Sequence, residues 1–331
     1  MTIHSRGMLL LCLALLIGFI VLFWGADFFV DGAVATARNL NISPMFIGLT
    51  VVSLGTSAPE IFVAAMSAFQ GAPQLAVGNA IGSNIANIGM VLGITALLVP
   101  LPFRIDVLSR DLPVLIFVTL CAGAALLNLY LGPLDGLLLM AGLVIFIIRL
   151  IAEHRRSSSM EVAAGITELE DMPVMTTKKS LLVLLMGLLL LLGSSEILVY
   201  TAVEIARTMD ISELIIGLTV IAVGTSLPEL VVSVTSALKG QTDLAIGNIV
   251  GSNIFNILAV LSLPCLIAPT TFEAEIFWRD YLLMLMMTAL LVLFAYGVHS
   301  KARITRLEGG FLLMVWITYL FSLYSSAQGP G

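Results

Sequence analysis

Two near-identical hexapeptides hold the residues of this chain best suited to chemistry: Gly55-Thr56-Ser57-Ala58-Pro59-Glu60 and Gly224-Thr225-Ser226-Leu227-Pro228-Glu229. Each places a carboxylate, two hydroxyls and a helix breaker inside an apolar stretch long enough to cross a bilayer. In a helix, Thr56 and Glu60 stand one turn apart on one face, with Ser57 beside them. Pro59 has no N–H, which frees the carbonyl of Gly55 and kinks the helix, and Gly55 weakens it further. The outcome is a bend with bare carbonyls next to hydroxyls and a carboxylate. These are hard oxygen donors, suited to Na⁺ or Ca²⁺ and not to soft metals. An Asp at mid-membrane costs about 2.5 to 3.5 kcal/mol to insert, and a Glu similarly, so Glu60 and Glu229 are read as functional groups.

A second pattern follows each hexapeptide. Ser83 and Asn87 are one helical turn apart, as are Ser252 and Asn256, and Gly78-x-x-x-Gly82 and Gly247-x-x-x-Gly251 precede them. Such glycine pairs let another backbone come close. Asn84 and Asn253 fall one position off the polar face and are read as packing groups. Two kinked and two polar segments could meet around one site. Glu60 and Glu229 together carry two negative charges, which one Ca²⁺ would neutralise, and no Arg or Lys lies near the motifs to hold an anion. Small cations are the expected cargo. Asp27 and Glu196 have no nearby proline and are carried as candidate access-path or gating charges.

Positioning these groups takes a membrane protein. The chain has 331 residues, 59% hydrophobic and 11% charged, with a mean hydropathy of +1.09. A soluble protein could not hide that much apolar surface. The net charge of −6 gives no reason to expect nucleic acid. Cys12, Cys121 and Cys265 lie in apolar segments without metal-ligand spacing. Neither motif region contains a His, a Cys or a Ser/Lys pair, so the chain is not expected to be an enzyme, and no cofactor or obligate protein partner is implied.

Apolar stretches give ten expected helices: Met8 to Ala37, Pro44 to Phe69, Gln74 to Val99, Leu112 to Leu131, Leu134 to Ile151, Ser180 to Ala206, Glu213 to Leu238, Asp243 to Ala268, Tyr281 to Val298 and Leu307 to Tyr324. The first continues into a region with a later counterpart and is therefore not read as a signal peptide. The hexapeptides are offset by 229 − 60 = 169 residues, and the offset also relates Gly48-Leu49-Thr50-Val51 to Gly217-Leu218-Thr219-Val220, Gly78-Asn79 to Gly247-Asn248, Asp27 to Glu196, and Arg110-Asp111 to Arg279-Asp280. This is a duplication. Each copy has an odd number of helices, so the second enters the membrane from the opposite side, which makes the repeats inverted. The units are residues 1–152 and 180–331, joined by a polar tether over residues 153–179. With the N-terminus outside, 12 of the 15 Lys and Arg fall on the inner side. Both termini are thus expected at the periplasm or cell exterior, and the tether in the cytoplasm.

At the doubled Gly-Thr-Ser-x-Pro-Glu and Gly-Ser-Asn-x-x-Asn motifs the chain resembles the calcium/cation antiporter superfamily, in particular its prokaryotic sodium/calcium exchanger-like members. The resemblance covers nearly the whole chain. It implies an all-α membrane fold in which Thr56, Ser57, Glu60, Ser83 and Asn87, with Thr225, Ser226, Glu229, Ser252 and Asn256, line central cation sites joined by the backbone carbonyls of Ser53 and Ala222. It further implies that Na⁺ and Ca²⁺ compete there as transported ions, and that the first and sixth helices move across the other eight. Some relatives carry Asp where this chain has Asn256, which argues against potassium dependence and a third acidic ligand. Proton-coupled exchange of a divalent cation and, less favourably, a channel are the rival expectations.

Overall fold

The computed structural model describes residues 3–156, 174–208, 222–297 and 302–328. Among the described residues the regular structure is helical apart from four two-residue strands. Helix α1 (Ile3–Leu40) is followed by a span bent by 42° into α2 (Pro44–Thr56) and α3 (Ala58–Phe69). Then come α4 (Pro73–Leu98), α5 (Val107–Leu126) and α6 (Pro133–Arg156). The second half holds α7 (Thr177–Thr208), α8 (Ala222–Thr225), α9 (Leu227–Leu238), α10 (Thr242–Ile267), α11 (Ile276–Tyr296) and α12 (Arg306–Gln328). Among the described residues, eight helices are long and apolar enough to cross a membrane, and the bent α2–α3 pair makes a ninth span. The expected seventh helix, Glu213 to Leu238, is represented by α8 and α9, and its first part lies outside the described residues.

Several expected helix ends move, and in two helices both ends do. Helix α5 covers Val107–Leu126, where the sequence pointed to Leu112 to Leu131, and α11 covers Ile276–Tyr296 in place of Tyr281 to Val298. At the far end of α5, Leu129 adopts a left-handed φ of 58° and Asn128 Oδ1 accepts a hydrogen bond from the Tyr130 N–H at 3.0 Å, which stops the helix. Gly297, at φ 89°, stops α11. At the near ends, Arg110-Asp111 and Arg279-Asp280 are absorbed into turns of π-helix, Val107–Asp111 and Ile276–Tyr281.

These π turns repeat with the sequence. Asn87 and Asn256 each open one, Asn87–Leu92 in α4 and Asn256–Val260 in α10, again 256 − 87 = 169 apart. A π turn inserts an extra residue and disturbs the backbone ladder, a device frequent at functional sites. The strands obey the same symmetry. Strand β1 (Leu101–Pro102) pairs antiparallel with β4 (Arg303–Ile304), and β2 (Tyr130–Leu131) with β3 (Thr270–Thr271). Each ribbon therefore joins one half of the chain to the other.

Packing separates two bodies. Helices α4 and α10 form the centre and are largely buried, whereas most of α1 is exposed. One large apolar cluster gathers α4, α5, α6, α10, α11 and α12 around them. A second is built from α1 and α7 with a few residues of α2, α9 and α10, among them Ile47, Val52, Val232 and Leu244. Lipid tails are as apolar as these side chains, so close contact rather than the hydrophobic effect must hold α1 on α7. Glycines supply it: a Cβ on Gly25 would stand 2.9 Å from the Leu191 backbone nitrogen, one on Gly32 would collide with the Leu184 backbone, and one on Gly187 with that of Phe29.

Candidate functional site

The hexapeptides form their bends as the sequence dictates. Ser57 and Ser226 leave helical geometry at φ −81°, ψ 6° and φ −90°, ψ 6°, and Pro59 and Pro228 open the first turns of α3 and α9. The two breaks face each other across the pseudo-symmetry. Ser57 Oγ donates to Glu229 Oε1 at 3.0 Å, from one repeat to the other. Thr56 Oγ1 donates to Asn248 Oδ1 at 3.0 Å and lies 3.4 Å from Ser252 Oγ. Glu60 lies in the first turn of α3, beyond the same bend, and its carbonyl accepts from Asn79 Nδ2. Thus Thr56, Ser57, Glu60, Glu229 and Ser252 share one interior region, where each is buried.

Close backbone packing makes that region possible. A Cβ on Gly247 would stand 3.0 Å from the Leu49 nitrogen, and one on Gly251 2.7 Å from Ser53 Cβ, so α10 lies directly on α2. This is the approach expected of the Gly247-x-x-x-Gly251 pair. For Gly78 and Gly82 no described atom lies within 4 Å.

The remaining expected residues are placed as follows. Ser83, Asn87, Thr225, Ser226 and Asn256 are all buried. Ser53 is buried, and its carbonyl accepts from the Ser57 N–H at 3.0 Å and from Thr56 Oγ1 at 3.3 Å. Ala222 begins α8, next to residues outside the description. Asn84 and Asn253 donate to carbonyls one turn back in their own helices, at Ala80 and Ile249, as packing groups do.

Two residues of the site were overlooked in the sequence. Asn79 Nδ2 donates to the Glu60 carbonyl, and Asn248 Nδ2 to the Glu229 carbonyl, both at 3.3 Å. Each amide thereby ties a bent segment to the polar helix beside it. Asn248 does more, donating also to Ser233 Oγ at 2.9 Å while accepting from Thr56. The Gly-Asn dipeptides at the 169-residue offset were the available signal. Ser233 has no such signal, because its counterpart is Ala64.

Buried polar groups almost always find partners, so those without one mark where a ligand is handled. Among the described residues, both carboxylate oxygens of Glu60, Oε2 of Glu229, Ser226 Oγ and both amide atoms of Asn87 and of Asn256 lack a protein hydrogen-bond partner, as do Oδ1 of Asn84 and of Asn253, Thr36 Oγ1 and Ser236 Oγ. All but Thr36 and Ser236 belong to the motif residues, drawn from both repeats. The donor set is all oxygen and amide, which fits a hard cation as transported substrate.

The profile of the sodium/calcium exchanger protein family matches residues 10–152 and 179–325. The chain belongs to the sodium/calcium exchanger family. It is 46% identical to CaxA of Alkalimonas amylolytica, a proposed antiporter, over 96% of this chain and 100% of that protein. It is 30% identical to the sodium/calcium exchanger MaX1 of Methanosarcina acetivorans over 94% of this chain and 98% of MaX1. A structure of the sodium-calcium exchanger NCX_Mj superposes with a TM-score of 0.81 at 35% identity, covering 96% of this chain and 99% of that one. This member of the exchanger family is a multi-pass membrane protein with the exchanger fold, a cation antiporter by family and not an enzyme.

Proposed function

We propose that this antiporter exchanges Na⁺ for Ca²⁺ across the cytoplasmic membrane by alternating access, at one site built on Glu60 and Glu229. The observation that carries the reading is the meeting of the two bends, with Ser57 of one repeat donating to Glu229 of the other. Two buried carboxylates in one region cannot both stay ionised without a cation or a proton between them. Ca²⁺ supplies both charges at once. Na⁺ takes the same kinds of oxygen ligand and would compete for the same carboxylates.

In this reading Thr56, Ser57, Ser83, Asn87, Thr225, Ser226, Ser252 and Asn256 supply neutral oxygens, with the Ser53 and Ala222 carbonyls at the ends of the bent segments. The neutral amides of Asn87 and Asn256 leave the glutamates as the charged ligands. Residues 1–152 and 180–331 act as opposed halves and residues 153–179 as a cytoplasmic tether. Support for the orientation is the 12 to 3 excess of Lys and Arg on the inner side, with both termini outside.

Flux in proteoliposomes tests the proposal. An outward Na⁺ gradient, with the proton gradient collapsed and K⁺ varied, should drive concentrative Ca²⁺ uptake that does not depend on K⁺. Uptake that follows a pH gradient and ignores Na⁺ would instead establish cation/proton antiport, and uptake that never exceeds equilibrium would establish a channel.

A further inference from the structure

The two halves of the chain differ in how they hold the α1–α7 pair. Lys239, just beyond α9, places Nζ 2.6 Å from both Asp27 Oδ1 and Asp31 Oδ1 on α1. Asp27 and Asp31 are one helical turn apart, so one ammonium spans two carboxylates on the same face. Ser195 of α7 makes a second link, donating at 3.0 Å to the carbonyl of Gly224, the one freed by Pro228. Both links run from the α1–α7 pair to the bent segment of the second repeat.

Neither can form around the first repeat. The 169-residue offset takes Lys239 to Gln70, Ser195 to Ala26, and Asp27 and Asp31 to Glu196 and Tyr200. Gln70 carries no charge to pair with Glu196, and Ala26 has no hydroxyl to donate to Gly55. Glu196 and Gln70 are both exposed. At Gly55 the contact is apolar, its Cβ position facing Leu188 at 3.1 Å and Phe29 at 3.4 Å. The α1–α7 pair lies over both bends, Phe29 and Leu188 on the first and Val199 on the second. Its apolar cluster includes only a few residues from outside the pair, on α2, α9 and α10, and its glycines pack α1 directly on α7, so the pair can shift as one body.

We propose that Lys239, with Asp27 and Asp31, is a one-sided latch that sets the balance between the two access states. An inverted repeat makes the two positions of the α1–α7 pair near-equivalent, because exchanging the repeats converts one into the other. The ion pair breaks that equivalence in favour of the position seen here. Asp27 thus has an assigned role as one carboxylate of the latch, whereas its counterpart Glu196 meets no cation among the described residues. The inference rests on alternating access as proposed above, and it needs no particular cargo.

Native cysteines give the readout. Cys12 on α1 and Cys121 on α5 are both exposed, while Cys265 is buried and can be replaced by Ala. Spin labels on Cys12 and Cys121 report the distance between α1 and the core by pulsed electron resonance. Lys239→Gln should raise the weight of the minor distance about threefold, the scale of a partly exposed ion pair. Asp27→Asn with Asp31→Asn should do the same from the other side, which guards against a fold defect at one position. Gln70→Lys, which gives Glu196 a cation in the repeat-exchanged position, should also raise it, and Lys239→Arg should leave the distribution as in wild type. An unchanged distribution in both Lys239→Gln and the double Asn variant overturns the latch. So does a Gln70→Lys shift in the opposite direction. Since the distances are read without flux, a failed Na⁺ dependence and a failed latch remain separate results.

Discussion

Glu60 and Glu229 occupy matching places in matching motifs, yet their surroundings differ. Glu229 receives the Ser57 hydroxyl, whereas the counterpart hydroxyl, Ser226 Oγ, has no partner among the described residues and does not reach Glu60. The two carboxylates are therefore unequal in this conformation. Replacing either by Gln removes half the charge of the proposed site and leaves the other half buried without its complement. A loss of about 3 kcal/mol, two orders of magnitude in Ca²⁺ exchange, is expected from each of Glu60→Gln and Glu229→Gln, with membrane insertion unchanged. Flux normalised to inserted protein checks this, and wild-type rates in either variant would remove the central claim. The two asparagines behind the glutamates should separate in rank. Asn79→Ala removes one hydrogen bond, to the Glu60 carbonyl, whereas Asn248→Ala removes three, to the Glu229 carbonyl, Ser233 and Thr56. At about 0.5 to 1.5 kcal/mol for each hydrogen bond lost, Asn248→Ala should cost more in both thermal stability and Ca²⁺ affinity, measured on detergent-purified protein.

At the scale of elements, the bends and the glycine seam divide the labour. Pro59 keeps the span from running straight through Ser57, so that the Ser57 and Thr56 hydroxyls reach the second repeat. Pro59→Ala restores a backbone donor and permits a continuous helix. The expected result is a folded protein of equal or higher melting temperature that exchanges Ca²⁺ poorly, which calorimetry and flux on the same preparation would show. The seam between α1 and α7 works the other way. Gly32 faces the Leu184 backbone, so Gly32→Val forces the two helices apart. Overpacking of this kind costs about 1 to 3 kcal/mol and should appear as a lower melting temperature, whereas Gly71→Ala near a bilayer face acts only through its φ of 78°.

For the whole molecule, the inverted repeat turns two separate helix ends into one interior. Opposed insertion brings the Ser57 break against α9 and α10, and the two short ribbons tie each half to the other at both ends of the bundle. The charge distribution carries the proposed orientation of the bundle in the membrane. Epitope tags at both termini should be cut by protease added outside intact cells, and a tag within residues 153–179 only after the membrane is opened. Cleavage of the tether tag from outside would invert the orientation and with it the direction of physiological exchange.

How much of this was legible in the sequence depends on the range of the interaction. Helix bends need only a proline and a glycine a few residues apart, so the breaks at Ser57 and Ser226 could be read directly. The duplication and the odd number of helices per copy likewise required only counting. Helix ends were read less well where a left-handed residue or a π turn intervened, as at Leu129 and Asp111, because hydropathy does not register backbone geometry. What tertiary structure alone decided is which atoms meet: Ser57 with Glu229, Asn248 with Thr56, and Lys239 with Asp27 and Asp31. These contacts join residues far apart in the chain, and small differences between the repeats, Ser233 against Ala64 or Lys239 against Gln70, decide which are made. A repeat in sequence fixes symmetry of the backbone; the side chains that break it act only once the halves are packed together.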